Sequence, residues 1–204
     1  MKFSKKLFSI LIVFCTPIVA AQEIQLPFGL KRSEENGMYV TSVENLVHAS
    51  DVIVKGRYGK LIKSELFYGY DNTRENLSKQ FGITDEAELD MMGMPMSEYE
   101  VHIDEILKGG ERLENVGLLR LRIYEDPQAH KNPTLQEYRS GDHLLFLAEN
   151  PDRKTYALRG TMFDMKEVNG KYAFKMNQAT VTTLEDNDVE SFTNYVKAQV
   201  DLEK

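Results

Sequence analysis

Tyr99, Val101 and Ile103 alternate with Glu98, Glu100, His102 and Asp104, and further along Leu119, Leu121 and Ile123 alternate with Arg120, Arg122 and Tyr124. Strict period-two alternation puts the apolar residues on one face of a strand and the polar ones on the other, so both segments predict half-buried strands. Val52–Ile62 is β-branched and aromatic and reads as a third strand, in which Gly56 and Gly59 signal a bend or a close backbone approach. Leu144–Leu147 is apolar throughout, which predicts a central strand. Tyr156–Arg159 and Val181–Leu184 add two more, and Met162–Met176 reads as a hairpin about Asn169-Gly170, a dipeptide suited to the positive φ of a type I′ turn. Many short strands with few helices between them favour a small closed or half-closed antiparallel β-barrel over a βαβ sheet. Its interior is expected to hold Val52, Val54, Val101, Ile103, Leu121, Ile123, Leu145 and Leu147.

A helix is predicted near each end. Thr41 and Glu44 form a capping-box pattern ahead of Val43, Leu46 and Val47. Val189, Phe192, Tyr195, Val196 and Val200 make one apolar stripe after a cap at Asp186 or Asn187. Residues 67–97 break the strand spacing: the stretch is polar and helix-prone over Thr73–Phe81 and Asp85–Met92, and reads as an insertion between two strands that would otherwise be hairpin neighbours.

The first 21 residues have the pattern of a secretory leader, with Lys2, Lys5 and Lys6 ahead of an apolar run from Leu7 to Ala20 and small residues at Val19-Ala20-Ala21. The run falls short of the roughly 20 apolar residues a lasting span needs. The expected organisation is a signal peptide at 1–21, an extended lead-in at 22–40, the barrel domain at 41–184 and a C-terminal amphipathic helix at 185–204. The expected location is periplasmic or secreted, without stable membrane insertion. Loss of the leader removes three lysines and no acid, taking 25 Lys and Arg to 22 against 32 Asp and Glu, a formal charge of −10 in place of −7. Such a surface repels phosphate backbones, so nucleic acid is not an expected partner. Cys15, the single cysteine, lies in the leader behind a bulky Phe14 that does not suit a lipid-attachment signal. The processed chain would hold no thiol, which leaves disulfides, Cys-ligated zinc and a Cys nucleophile without their residue.

The motif order Glu44-Asn45-Leu46-Val47-His48-Ala49-Ser50-Asp51-Val52-Ile53-Val54-Lys55-Gly56-Arg57, then Tyr99-Glu100-Val101-His102-Ile103-Asp104-Glu105-Ile106-Leu107-Lys108-Gly109, then Arg139-Ser140-Gly141-Asp142-His143-Leu144-Leu145-Phe146-Leu147 resembles a group of exported bacterial proteins of uncharacterised function. That group is similar in turn to the netrin-like module of the tissue inhibitors of metalloproteinases. The resemblance spans Thr41 to Tyr172 and implies an OB-like barrel; its residues are strand-core and turn positions and carry no catalytic signature. The N-terminal cysteine with which those inhibitors engage zinc is missing, so their chemistry does not carry over.

Met91-Met92-Gly93-Met94-Pro95-Met96 places four thioethers within six residues. Soft sulfur ligands select soft monovalent metals, so Met91, Met92, Met94 and Met96 are a candidate Cu(I) site; the plainer reading is adaptable packing of the insertion on the barrel. Glu100, His102 and Asp104 share a strand face and could meet a divalent ion, but a solvated face has the same pattern. His48 and His143 stand isolated and read as surface or boundary residues. No Gly-x-Ser-x-Gly, Ser-x-x-Lys or His-Glu-x-x-His pattern occurs, and Gly109-Gly110 is read as closing a strand and not as a phosphate loop that opens a helix. The sequence therefore favours a binding or interaction module without a cofactor, whose ligand is a protein, peptide or glycan held at the insertion and barrel mouth. The alternatives are an enzyme with a dispersed site and the Cu(I) binder.

Overall fold

The structure, a computed structural model, describes residues 42–70, 72–114, 116–126, 128–158, 163–175 and 181–204. The leader with Cys15, the lead-in and the Thr41 cap lie outside them. The described elements run α1 (Val43–Ala49), β1 (Val52–Phe67), α2 (Arg74–Phe81), α3 (Glu86–Met92), β2 (Met94–Lys108), α4 (Gly110–Leu113), β3 (Leu119–Tyr124), α5 (Pro133–Arg139), β4 (His143–Glu149), β5 (Tyr156–Leu158), β6 (Asp164–Val168), β7 (Lys171–Lys175), β8 (Val181–Asp188) and α6 (Val189–Leu202).

Five strands close a barrel in the order β1-β2-β3-β5-β4, with β4 returning to pair β1 from Val52↔Leu147 to Gly56↔His143. This is the strand order of an OB-like barrel. It is mixed rather than wholly antiparallel, because β3 and β5 run parallel through Leu121↔Tyr156 and Arg122↔Ala157. An odd number of strands cannot alternate direction all the way round, so one parallel pair is unavoidable. From β4 the sheet continues through β6, β7 and β8, outside the barrel.

The apolar run of β4 is explained by two cores on its two faces. Leu145 and Leu147 point into the barrel with Val52, Val54, Val101, Leu119, Leu121 and Tyr156. Leu144 and Phe146 point the other way, into a layer formed with Met165, Tyr172, Phe174 and the apolar sides of α1 and α6. A strand covered on both faces has no wet side and loses its alternation. In α6, Phe192, Val196 and Val200 are buried as the stripe predicts. Its cap is Asp188, which accepts from the Ser191 amide, rather than Asp186 or Asn187, because β8 extends to Asp188. At the other end Ser42 caps α1 by accepting from the Asn45 amide, and the Glu44 carboxylate accepts instead from the Tyr195 hydroxyl of α6. The Asn169-Gly170 turn has positive φ at both residues.

One interior assignment is corrected. Ile103 is 37 % exposed, whereas Val52, Val54, Val101, Leu121, Leu145 and Leu147 are buried and Ile123 packs at their edge. β3 begins at Leu119, opposite Val101, so from His102 onward β2 has no third strand beside it. Ile103 also faces Gly56, which offers no side chain to cover it, and the register slips between Lys55 and Gly56. Glycine is required there: a Cβ on Gly56 would lie 2.3 Å from the His102 carbonyl oxygen. The close approach inferred from the sequence is real.

The insertion folds as two short helices. Thr73 caps α2 by accepting from the Asn76 amide, and Asp85 caps α3 by accepting from Ala87 and Glu88. Both segments match the predicted spans, and β1 and β2 pair antiparallel across the insertion from Phe67↔Met94 to Ile53↔Lys108.

Candidate functional site

The outer face of β1–β2–β3 is built from the polar half of each alternating strand. Register places Phe67 beside Met94, then Glu65, Met96 and Tyr124 in one rung, then Lys63, Glu98 and Arg122 in the next. Glu100 and Arg120 follow, with Lys60 reaching Glu100 at 3.0 Å. β2 thus carries acids between bases on both neighbours, the arrangement in which cross-strand charges attract.

Glu98 is the unexpected member, with a side chain fully buried. Arg120 pairs with one of its oxygens and the Arg122 Nε reaches the other at 3.3 Å, while Lys63 stands 3.9 Å away. A carboxylate taken out of water needs this much compensation. Arg122 reaches on with its Nη1 to Asp152 in the turn between β4 and β5, at 3.0 Å. Its guanidinium lies 5.7 Å from the ring centroids of both Phe67 and Tyr70. Burial opposes the charge on Arg122, but Asp152 and Glu98 outweigh it and hold its pKa above the ordinary value. Asp152 is held below the usual carboxylate range despite partial burial, by the Lys154 amide, the Thr155 hydroxyl and Arg122.

Above this charged rung lies an aromatic row. The Phe67 ring meets Tyr70 at 5.1 Å and Tyr124 at 6.5 Å, and Tyr70, Tyr124 and Met94 are 40 %, 48 % and 50 % exposed.

A second polar cluster fills one end of the barrel interior. His143 Nδ1 lies 2.7 Å from Asp164, which also accepts from the Tyr58 hydroxyl at 2.7 Å. The rings of Tyr58 and Tyr138 stand edge-on to His143 at 5.0 and 5.5 Å. Arg139 of α5 donates to the Tyr99 hydroxyl at 2.6 Å and pairs with Glu125, to which Tyr99 itself donates at 2.9 Å. Burial, and Asp164 after it, push the Tyr58 phenol well above its ordinary value. Burial pushes Tyr99 up to about 12, with Arg139 opposing and Glu125 assisting. His143 and Asp164 have the geometry of a base and its orienting carboxylate, yet the His143 side chain has no exposed surface and its Nε2 lacks a hydrogen-bond partner among the described residues. A general base must reach a substrate proton. As folded, the cluster ties β1, β4, β6 and α5 together at the barrel end.

The residues singled out in the sequence divide accordingly. Met94 and Met96 share the outer face of β2, Met96 fully buried between Glu65 and Tyr124, while Met91 and Met92 end α3 and Met91 is 81 % exposed. Glu100 and Asp104 are drawn to Lys60 and Arg57 respectively and His102 is exposed. Among the described residues no three His, Asp or Glu side chains gather as a metal site. His48 is an exposed partner of Glu203, but His143 is buried and paired, contrary to its reading as a surface or boundary residue. The sequence could not show this pairing, because Asp164 comes from a different hairpin. An open groove of about 470 Å³ lies beside Ile106, Leu107 and Val200, and its Lys108 is held by the Val47 carbonyl and Glu203. No helix among the described residues is long and apolar enough to cross a membrane. Neither a protein-family model, a curated protein nor a solved structure matches the chain.

Proposed function

We propose that the protein is an exported binding module whose contact surface is the outer face of β1–β2–β3, between the helical insertion and the β4–β5 turn. In OB barrels the face of the second and third strands, with the loops joining strands one to two and four to five, is where extended ligands dock. In this chain those loops are the insertion that carries Tyr70 and the turn that carries Asp152. The observation behind the reading is Arg122, which is paired to Glu98 beneath it and to Asp152 in one loop, and lies against Phe67 and Tyr70 at the base of the other. A side chain anchored at that many points holds an exposed aromatic row at fixed positions, and preorganisation of this kind lowers the entropy lost on binding. Export rests on the basic, apolar and small-residue pattern of residues 1–21 and on the thiol-free remainder.

The test is photocrosslinking from defined positions. A photoreactive residue is placed at Tyr70, at Tyr124 and, as remote controls, at Ile106 and Leu202, in the full chain expressed in its own cells. Adducts that form from positions 70 and 124 and not from the controls are the expected result. Adducts of equal yield from all four positions, or from the controls alone, would overturn the assignment of the face.

A further inference from the structure

We infer that Met91, Met92 and Met94 form a reversible oxidation site, at which conversion of the Met94 thioether to a sulfoxide switches off the apolar rim of the contact face. The switch rests on the reading of the β1–β2–β3 face as the contact surface; the oxidation site does not.

Composition and placement both single these sulfurs out. With Cys15 in the leader and no tryptophan in the chain, thioethers are the most readily oxidised side chains that remain. Met91 is 81 % exposed, more than any other large apolar side chain among the described residues, and Met94 and Met92 are 50 % and 39 % exposed, whereas Met96 and Met165 are fully buried. That exposure is fixed by the packing around it. Leu89 turns into the protein, and at about 3.6 residues per helical turn Met91 takes the opposite side of α3. Asp90, between them, accepts from the Tyr68 hydroxyl at 3.3 Å and pairs with Arg74 at 2.9 Å, which ties the last turn of α3 to α2 and to the residue that follows β1. Gly93 then passes so close to Leu66 and Tyr68 that a Cβ would lie 2.9 Å from each, and Met94 opens β2 opposite Phe67.

The chemistry is oxygen transfer. The thioether sulfur attacks one oxygen of hydrogen peroxide and the O–O bond breaks; the other oxygen leaves as hydroxide, takes the proton left on the transferred oxygen and departs as water. Sulfur is oxidised by two electrons and the peroxide is reduced by two. A dithiol-dependent reductase reverses the change, the sulfoxide oxygen leaving as water while two thiols become a disulfide. At Met94 the sulfoxide sets a polar, hydrogen-bond-accepting group beside Phe67, in place of a thioether that an apolar partner can cover.

Hydrogen peroxide added to the purified chain, quenched at intervals with free methionine and followed by tryptic peptide mass spectrometry, reads each sulfur. Peptide 80–108 carries Met91, Met92, Met94 and Met96, and fragmentation assigns the oxygen among them. Met91, Met92 and Met94 should gain oxygen about tenfold faster than Met96 and Met165, at an unchanged thermal midpoint, and methionine sulfoxide reductases A and B with dithiothreitol should restore them in the folded protein. Oxidation of Met96 or Met165 at the rate of Met94 while the thermal midpoint is unchanged, or sulfoxides that the reductases reach only in denaturant, would overturn the site. The switch is read by the photoreactive residues at positions 70 and 124. Met94→Gln, which places an amide where the sulfoxide would stand, should lower adduct yield by about threefold or more, and Met94→Leu should keep it. Equal yields from the two variants would overturn the switch with the face intact. A parent chain that forms no adducts from either position loses the face and the switch together, and leaves the oxidation site to the peroxide experiment.

Discussion

His143 and Asp164 meet at 2.7 Å inside the barrel, the first at the start of β4 and the second at the start of β6. One Asp164 oxygen meets the His143 ring nitrogen, and the other accepts from the Tyr58 hydroxyl. One buried side chain therefore joins the barrel wall to the strand that leaves it.

Asp164→Ala should destabilise the protein by about 3 kcal/mol, because a buried imidazole and a buried phenol both lose the acceptor that compensated their removal from water. Urea unfolding monitored by circular dichroism measures the change. A loss under about 1 kcal/mol would show that water or another acceptor satisfies both groups.

Glu98→Gln should cost about 3–5 kcal/mol, since Arg122 and Arg120 would keep their charges with their shared partner neutralised. Replacing the pair together, as Glu98→Met with Arg122→Met, should recover a large part of that loss, as apolar substitutes for a buried ion pair commonly do. The double-mutant cycle in denaturant reads the coupling directly. A double-variant loss equal to the sum of the Glu98→Met and Arg122→Met losses would deny it.

Stability should fall at alkaline pH. Burial raises Tyr99 and Tyr172 to about 12 in the folded protein, against 10 for a free phenol. Below pH 10 both states keep the protons and the contribution is intact; between pH 10 and 12 the unfolded chain ionises while the folded one does not. Each tyrosine then removes about 1.4 kcal/mol per pH unit. Unfolding free energies at intervals from pH 9 to 12 should show this slope, and Tyr172→Phe should reduce it by one tyrosine's share. A flat profile would contradict the burial.

Leu145→Ala should cost about 2–5 kcal/mol, as at other fully buried aliphatic sites. Ile103→Ala should stay within about 0.5 kcal/mol, because that side chain faces Gly56 and solvent beyond the edge of β3. Parallel chemical denaturation of the two variants checks the contrast, and a large loss at Ile103 would mean that β2 is covered there.

What the sequence determined by itself were properties carried by neighbours along the chain. Alternation in Glu98–Asp104 and Leu119–Tyr124 announced the strands, Thr73 and Asp85 opened the insertion helices, and Asn169-Gly170 turned β6 into β7, each through spacing that a local stretch sets alone. Even Leu144–Leu147 disclosed a central strand, although not that its two faces serve two cores. What only the tertiary structure decided were meetings between distant segments. Glu98 and Arg122 look like ordinary solvated positions until register sets them opposite each other and Asp152 arrives from the β4–β5 turn. His143 looks isolated until β6 pairs with β4 and brings Asp164 to it. Ile103 looks interior until β3 begins too late to cover it. In each case the local pattern encodes which side of the strand a residue takes, while its burial and charge partner depend on which strand closes beside it, and that is settled only when the barrel shuts.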